Sequence, residues 1–212
     1  MTAGPLRRHL PNALTLARVA AVPMLAAAFF AAEPWRSWLA LALFAAAALT
    51  DYLDGWLARR WHVVSGFGTF LDPIADKLMV GAVLVLLAWD GRLPGPHIVA
   101  AVVILVREIF ISGLREFLAG VQIAVPVTGL AKWKTTVQLA AVAVLLAAPA
   151  VLPGSSVSLW LDRVGLGLLW LAAWMTAVSG WHYTRAAWPV IAGRHPTGTD
   201  GRSGDETNGE AR

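Results

Sequence analysis

The chain of 212 residues has no cysteine and little charge. Without thiols there can be no disulfide, no zinc–thiolate centre and no cysteine nucleophile. Charged residues make up 14% of the sequence, against about 25% in an ordinary soluble domain. Hydrophobic residues make up 58%. That balance points to lipid as the solvent for most of the chain. The formal net charge of +4 suits anionic lipid headgroups. So apolar a chain is a poor partner for nucleic acid, and none is expected. A search by eye shows no internal repeat.

What is abundant is long apolar runs. A hydrocarbon core about 30 Å thick needs about 20 helical residues. Six runs qualify as candidate spans: Leu16–Ala32, Trp35–Arg60, a third from just after Pro73 to Trp89, Pro96–Ala119, Leu130–Leu152 and Ser158–Trp188. The sequence therefore predicts an all-α, polytopic membrane protein with six transmembrane helices. Residues 4–14 read as a short interfacial helix before the first span. Residues 1–192 form one membrane domain, and the Gly-, Thr- and Ser-rich tail over 193–212 is expected to be disordered. Arg7 and Arg8 before an apolar, Ala-rich run also resemble a signal peptide. The polar Asn12, Thr15 and Arg18 in and beside that run argue against cleavage. Trp35, Trp38, Trp89, Trp160 and Trp188 lie near the ends of apolar runs, as in an interfacial aromatic belt.

The cations are unevenly distributed. Arg7, Arg8, Arg59, Arg60, Lys77, Arg115, Lys132, Lys134, Arg185 and Arg194 fall at one set of loops, and Arg36, Arg92 and Arg163 at the other. The positive-inside rule places the first set, and with it both termini, in the cytoplasm. The chain is thus expected in the inner (cytoplasmic) membrane.

The acids are few but patterned. Asp51, Asp54, Gly55 and Ala58 follow one another at i, i+3, i+4 and i+7, on one helical face. Two carboxylates there adjoin two residues with almost no side chain. Asp72 and Asp76 stand four apart at the start of the third span, with Pro73 expected in its first turn. A short loop separates the pairs, which could face each other across antiparallel helices. Surface ion pairing with Arg59, Arg60 and Lys77, or an N-cap role for Asp72, would account for one such acid but not for four. Acids inside a membrane are rare and usually functional, and four together repel unless cations join them. Oxygen donors without Cys or His favour Mg²⁺ or Mn²⁺ over Zn²⁺. Two such ions can clamp a diphosphate and support displacement at phosphorus, with Arg59 and Lys77 near in sequence to add positive charge.

The stretch from Asp51 to Asp76 reads D-x2-D-G-x2-A-R-x8-G-x3-D-x3-D. Every fixed position resembles the signature of the CDP-alcohol phosphatidyltransferases, and the resemblance extends from about Pro11 to Tyr183. It implies a six-helix membrane enzyme, commonly a homodimer, that moves a phosphatidyl group from CDP-diacylglycerol to an alcohol. It further implies that Asp51, Asp54, Asp72 and Asp76 hold two metal ions and that Asp76 is the general base. By the same resemblance Gly55, Ala58 and Gly68 line the cytidine pocket and Arg59 meets the diphosphate. Asn12, Thr15 and Arg18, in Pro-Asn-Ala-Leu-Thr-Leu-Ala-Arg, are similar to the family's N-terminal element near the nucleotide. Helix entry alone would also explain an Asn and a Thr there.

The acceptor must be read outside the signature. Arg107 and Arg115 are eight apart and fall near one helical face. Arg107 lies well inside an apolar run and needs an anion. With Lys132 and Lys134 these cations suit an acceptor that carries a phosphate. Ordinary positive-inside lysines are the plain alternative for Lys132 and Lys134. Glu108 is expected to pair with Arg107 or a neighbour. The runs VREIFISGLREF and GLAKWKTTVQ are similar to those of the family's bacterial phosphatidylglycerophosphate synthases, which implies glycerol 3-phosphate as acceptor. The Gly-Leu-Ala-Lys132 spacing is looser than the Gly-Lys-Trp-Lys-Thr form expected there. Inositol phosphate, phosphatidylglycerol and serine are the alternative acceptors, and serine would leave the basic cluster without a purpose. A cation channel would spread its acids through the membrane depth, whereas these cluster around one loop. His62, His97 and His182 lack metal-ligand spacing and read as interfacial or packing residues.

Overall fold

The computed structural model describes residues 5–61, 66–123, 130–151 and 154–192. For 5–12, 55, 57–59, 61, 66–69, 72, 76 and 130–132 it describes the backbone alone. The expected tail over 193–212 and the position of His62 lie outside the described residues.

Among the described residues six helices follow one another: α1 (Pro5–Ala28), α2 (Trp35–Trp61), α3 (Gly66–Trp89), α4 (His97–Gly120), α5 (Leu130–Ala147) and α6 (Ser156–Ile191). Three of the boundaries depart from the sequence reading, each for a local reason. The interfacial helix expected over 4–14 is not a separate element. Ala13-Leu14-Thr15-Leu16-Ala17 contains no breaker, and α1 runs on through it. The third helix starts at Gly66, seven residues before Pro73, so this proline lies inside the helix and not in its first turn. Its missing N–H withdraws one hydrogen bond, a loss membrane helices tolerate where neighbours resupply polar contacts. Separately, Lys77 Nζ donates to the Pro73 carbonyl at 2.7 Å, which is not the acceptor the proline leaves unpaired. The fifth helix ends at Ala147, not Leu152, because Pro149 follows within two residues. The sixth is capped by Ser155, whose Oγ accepts from the Ser158 N–H at 3.2 Å.

Three helical stretches are long and apolar enough to cross a membrane: Trp35–Asp54, His97–Gly120 and Ser156–Ile191. Two more, Ala13–Ala28 and Trp133–Ala147, are apolar but shorter. The protein is a membrane protein, and its surface says the same. Phe30, Val85, Val106, Ile109, Phe110 and Trp174 are all exposed. So are the five tryptophans near the ends of apolar runs, in keeping with a belt.

The first helix lies against both α2 and α3, which barely touch each other; α6 lies against α4 and α5, and α2 reaches α5. Leu25, Phe44, Met79, Val83, Leu87, Ile104, Val142, Leu145 and Leu169 fill the centre. Alanines at 40, 47, 100, 101, 141, 172 and 173 are buried among them and let the helices approach closely. Among the described glycines the tightest approach is at Gly165. A Cβ there would stand 2.7 Å from Leu145 Cγ and 3.3 Å from the Leu145 backbone nitrogen.

At the end of the bundle holding the α1–α2 and α3–α4 connections, charges form a clasp. Arg92 donates to Glu33 Oε1 (2.7 Å), Asp90 Oδ2 (2.7 Å), Ser37 Oγ (3.1 Å) and the Leu145 carbonyl (3.0 Å). Arg36 pairs with the other Asp90 oxygen. Two of the three cations assigned to these loops thus meet acids, and the clasp joins both connections to the end of α5. The other end of the bundle carries the acids of α2 and α3.

The Gly165 contact can be tested. Gly165→Ala should cost about 1–3 kcal/mol by overpacking against Leu145. In detergent its thermal midpoint should fall clearly. Gly167→Ala, where an added Cβ meets nothing within 4 Å, should leave the midpoint in place. Equal midpoints for the two variants would refute the packing argument.

Candidate active site

The described part of the acid site is built by α1 and α2. Asp51 and Asp54 project from the second half of α2. Asp72 and Asp76 lie four residues apart on α3, with side chains outside the described set, as are those of Gly55, Ala58, Arg59 and Gly68. The partner of the first pair comes from α1. Arg18 Nη1 stands 2.7 Å from Asp51 Oδ1, and Nη2 forms an ion pair with Asp54 Oδ2. The Arg18 side chain is 2% exposed and that of Asp51 50%, so the guanidinium is buried while one carboxylate opens outward. Thr15, one turn earlier on α1, is buried. The side chain of Asn12 lies outside the described residues.

The sequence allows the two acid pairs to face each other across α2 and α3, and the Asp72 and Asp76 side chains lie outside the described residues. The structure adds that α1 lies beside both helices and that its Arg18 meets Asp51 and Asp54. Burying a charged guanidinium is costly unless it is paired, and an acid pair one helical turn apart offers it two anions at once. Lys77, expected to face phosphate, is turned to the Pro73 carbonyl on its own helix.

Among the described side chains no three of His, Cys, Asp and Glu come together. The donor set nevertheless fits a hard cation. Asp51 and Asp54 offer oxygen only, and a cationic group of the protein already sits on them. Asp72 and Asp76 belong to α3, and their side chains lie outside the described residues.

A second polar site joins α4, α5 and α6. Glu108 Oε1 accepts from Arg107 Nη1 at 3.3 Å and pairs with Lys134 Nζ. The same oxygen thus links cations from two helices. Arg107 Nη2 donates to Ser179 Oγ at 3.1 Å, and that hydroxyl donates in turn to the Thr176 carbonyl at 3.1 Å. Arg115, two turns beyond Arg107, is exposed, and its guanidinium stands 6.0 Å from the centre of the Tyr183 ring on α6. The Lys132 side chain lies outside the described residues. The structure therefore joins Arg107 and Lys134 directly and leaves Arg115 nearer the open end. Ser179, Gly180 and Tyr183 contribute to this site and were not foreseen. They occur in an apolar run whose pattern marks only a span. His97, read as a packing residue, accepts from Trp170 Nε1 at 3.0 Å.

The second and fourth helices finish at one end of the bundle, and α3 and α5 begin there. Lys134 lies near that end of α5, whereas Arg107 and Glu108 lie at the middle of α4.

The sequence profile of the CDP-alcohol phosphatidyltransferases matches residues 8–182. A CDP-diacylglycerol–glycerol-3-phosphate 3-phosphatidyltransferase of Rickettsia bellii is 42% identical over 178 residues, covering 84% of this chain and 94% of that protein. A CMP-forming cardiolipin synthase of Oryza sativa is 41% identical over 196 residues, covering 86% of this chain and 58% of that one. Among solved structures, the phosphatidylinositol phosphate synthase of Mycobacterium tuberculosis superimposes with a TM-score of 0.57 over 87% of this chain and 90% of that one. Its sequence identity is 20%, so that likeness speaks for the fold alone. With the signature in place on α2 and α3, and the family profile spanning nearly all of the helical bundle, this chain belongs to the CDP-alcohol phosphatidyltransferase family.

Proposed function

We propose that the protein transfers the phosphatidyl group of CDP-diacylglycerol to glycerol 3-phosphate, giving phosphatidylglycerophosphate and CMP in phospholipid biosynthesis. The observation that carries this reading is the linked pair Arg107 and Lys134, two cations of an apolar bundle held on one carboxylate oxygen. A phosphate on the acceptor gives that pair a purpose. The names of relatives at about 40% identity, the Rickettsia bellii protein among them, agree.

In this reading the donor's acyl chains stay in the lipid. Arg59 meets the diphosphate, and Gly55, Ala58 and Gly68 accept the cytidine, with Asn12, Thr15 and Arg18 beside it. Asp51, Asp54, Asp72 and Asp76 would hold two ions of Mg²⁺ or Mn²⁺, which when bound supply charge neutralisation for the diphosphate and for departing CMP. Arg107, Arg115, Lys132 and Lys134 receive the acceptor phosphate and so orient its primary hydroxyl. Asp76 takes the hydroxyl proton as the oxygen attacks the β-phosphorus. The bond from that phosphorus to the bridging oxygen breaks, and CMP leaves with the oxygen.

The wider setting belongs to the same proposal. All six helices cross the inner membrane, with the acid end and both termini in the cytoplasm, as the cation distribution supports. Residues 1–192 act as one catalytic domain, and two copies pair as a homodimer, as family membership supports.

Purified protein in detergent with CDP-diacylglycerol and Mg²⁺ or Mn²⁺ should release CMP only when glycerol 3-phosphate is added. Release driven by phosphatidylglycerol, inositol phosphate or serine would keep the donor chemistry and overturn the acceptor. Asp76→Asn should lower kcat by about 100-fold or more, the usual scale for a general base; unchanged kcat with unchanged metal dependence would remove Asp76 from that role.

Arg18 gives a further test, independent of turnover. Removing one partner of a buried ion pair costs roughly 3 kcal/mol. Arg18→Ala should therefore lower the thermal midpoint in EDTA, and Mg²⁺ should recover most of the loss by taking the place of the guanidinium. A loss that is the same with and without Mg²⁺ would separate Arg18 from the cation site.

A further inference from the structure

The acceptor reading leaves open what keeps Arg107 in place. Arg107 is the eleventh residue of the 24-residue α4, in an apolar stretch whose neighbours Val106, Ile109 and Phe110 are exposed to the surroundings of the bundle. An arginine stem is flexible, and a guanidinium useful to a phosphate must be held in one orientation.

Two consecutive residues of α6 do this. The Arg107 stem runs across the bare Cα of Gly180. A Cβ at that position would stand 2.9 Å from Arg107 Cγ, 3.0 Å from Nε and 3.6 Å from Cδ. Contact with Cγ, the second carbon of the side chain, cannot be relieved by a small movement of the tip. The whole arm would have to leave its rotamer. One residue earlier, Ser179 receives the end of the arm. Its own hydroxyl proton is committed to the Thr176 carbonyl at 3.1 Å, which turns a lone pair toward Arg107 Nη2, also at 3.1 Å. The opposite corner of the guanidinium meets Glu108, which also holds Lys134. Among the described residues, two of the five N–H donors of a guanidinium are used this way. Nε is buried without a described partner. The group is fixed in direction, and its donors are only partly spent.

We propose that Ser179 and Gly180 are positioning residues that set the affinity for the acceptor phosphate through Arg107: Gly180 by leaving room for the stem, Ser179 by anchoring the guanidinium. The proposal rests on the acceptor-phosphate reading above and goes beyond it by assigning this role to α6.

The experiment is steady-state kinetics of the full-length protein in detergent, varying glycerol 3-phosphate and CDP-diacylglycerol separately, for Gly180→Ala, Ser179→Ala, Ser179→Thr, Arg107→Ala and the double variant Gly180→Ala/Arg107→Ala. Gly167→Ala serves as a helix control, because a Cβ there meets nothing within 4 Å. Gly180→Ala and Ser179→Ala should each raise KM for glycerol 3-phosphate by about tenfold, the scale of one hydrogen bond to a charged group. KM for CDP-diacylglycerol should stay within about twofold, and Ser179→Thr, which keeps the hydroxyl, should recover most of the loss. The double variant should be no worse than Arg107→Ala alone, since the cradle acts only through that side chain.

Arg107→Ala with an unchanged KM for glycerol 3-phosphate would overturn the acceptor reading and the proposal with it. Arg107→Ala with a raised KM beside Gly180→Ala and Ser179→Ala with normal values would overturn the proposal alone. Equal losses for both substrates in the α6 variants would also overturn it, by showing general damage to the bundle. If Gly180→Ala does not fold, the Ser179→Ala and Ser179→Thr pair decides: a loss that Thr repairs supports the proposal, and a loss that Thr does not repair sinks it.

Discussion

A charge moved from water into an apolar interior must bring a counter-charge with it or not go at all. This helical bundle obeys that constraint at three places, and each pairing reaches across helices. Arg18 of α1 lies on Asp51 and Asp54 of α2. Glu108 of α4 gathers Arg107 from its own helix and Lys134 from α5. Arg92 ties Glu33, Asp90 and the end of α5 together. Apolar packing supplies most of the contact area, but lipid is as apolar as leucine and gives little preference for one helix arrangement over another. The charge pairs are contacts that lipid cannot imitate, so they fix which helix stands beside which.

The same pairings suit the site to its chemistry. A buried guanidinium shared by two carboxylates holds the acids close together, which suits them to accept metal cations. A glutamate shared by two cations holds those cations close together. In both places an internal ion stands where an ionic ligand of the same sign is proposed to bind. The resting protein therefore pays no large cost for carrying so many charges, and binding becomes an exchange of partners in place of a fresh burial of charge.

How much of this is readable from the chain depends on the kind of signal. Six apolar runs foretell six helices because length and composition are local properties. The aspartates at 51, 54, 72 and 76 are legible because spacing on a helix is local too. Boundaries are less so: α3 begins well before Pro73, since a proline in a membrane helix weakens it without ending it. The partner of the first acid pair was not legible. Arg18 looked like part of a nucleotide element, and only packing of α1 against both α2 and α3 shows that it reaches the acids. Ser179 and Gly180 carried no signal, because a serine and a glycine in an apolar helix also serve ordinary close packing. Their meaning comes from an arginine 72 and 73 positions away. Glu108 lies between these cases. Its need for a cation was evident beside Arg107, but its sharing by Lys134 depends on where α5 lands.

The clasp around Arg92 has a mechanical consequence. It joins the α1–α2 connection, the α3–α4 connection and the last turn of α5 by five hydrogen bonds and ion pairs drawn to two arginines. Rods tied together at one end can part only at the other. In the proposed function, a lipid headgroup entering sideways between the helices would meet a bundle free to part near the aspartates and held together near Arg92.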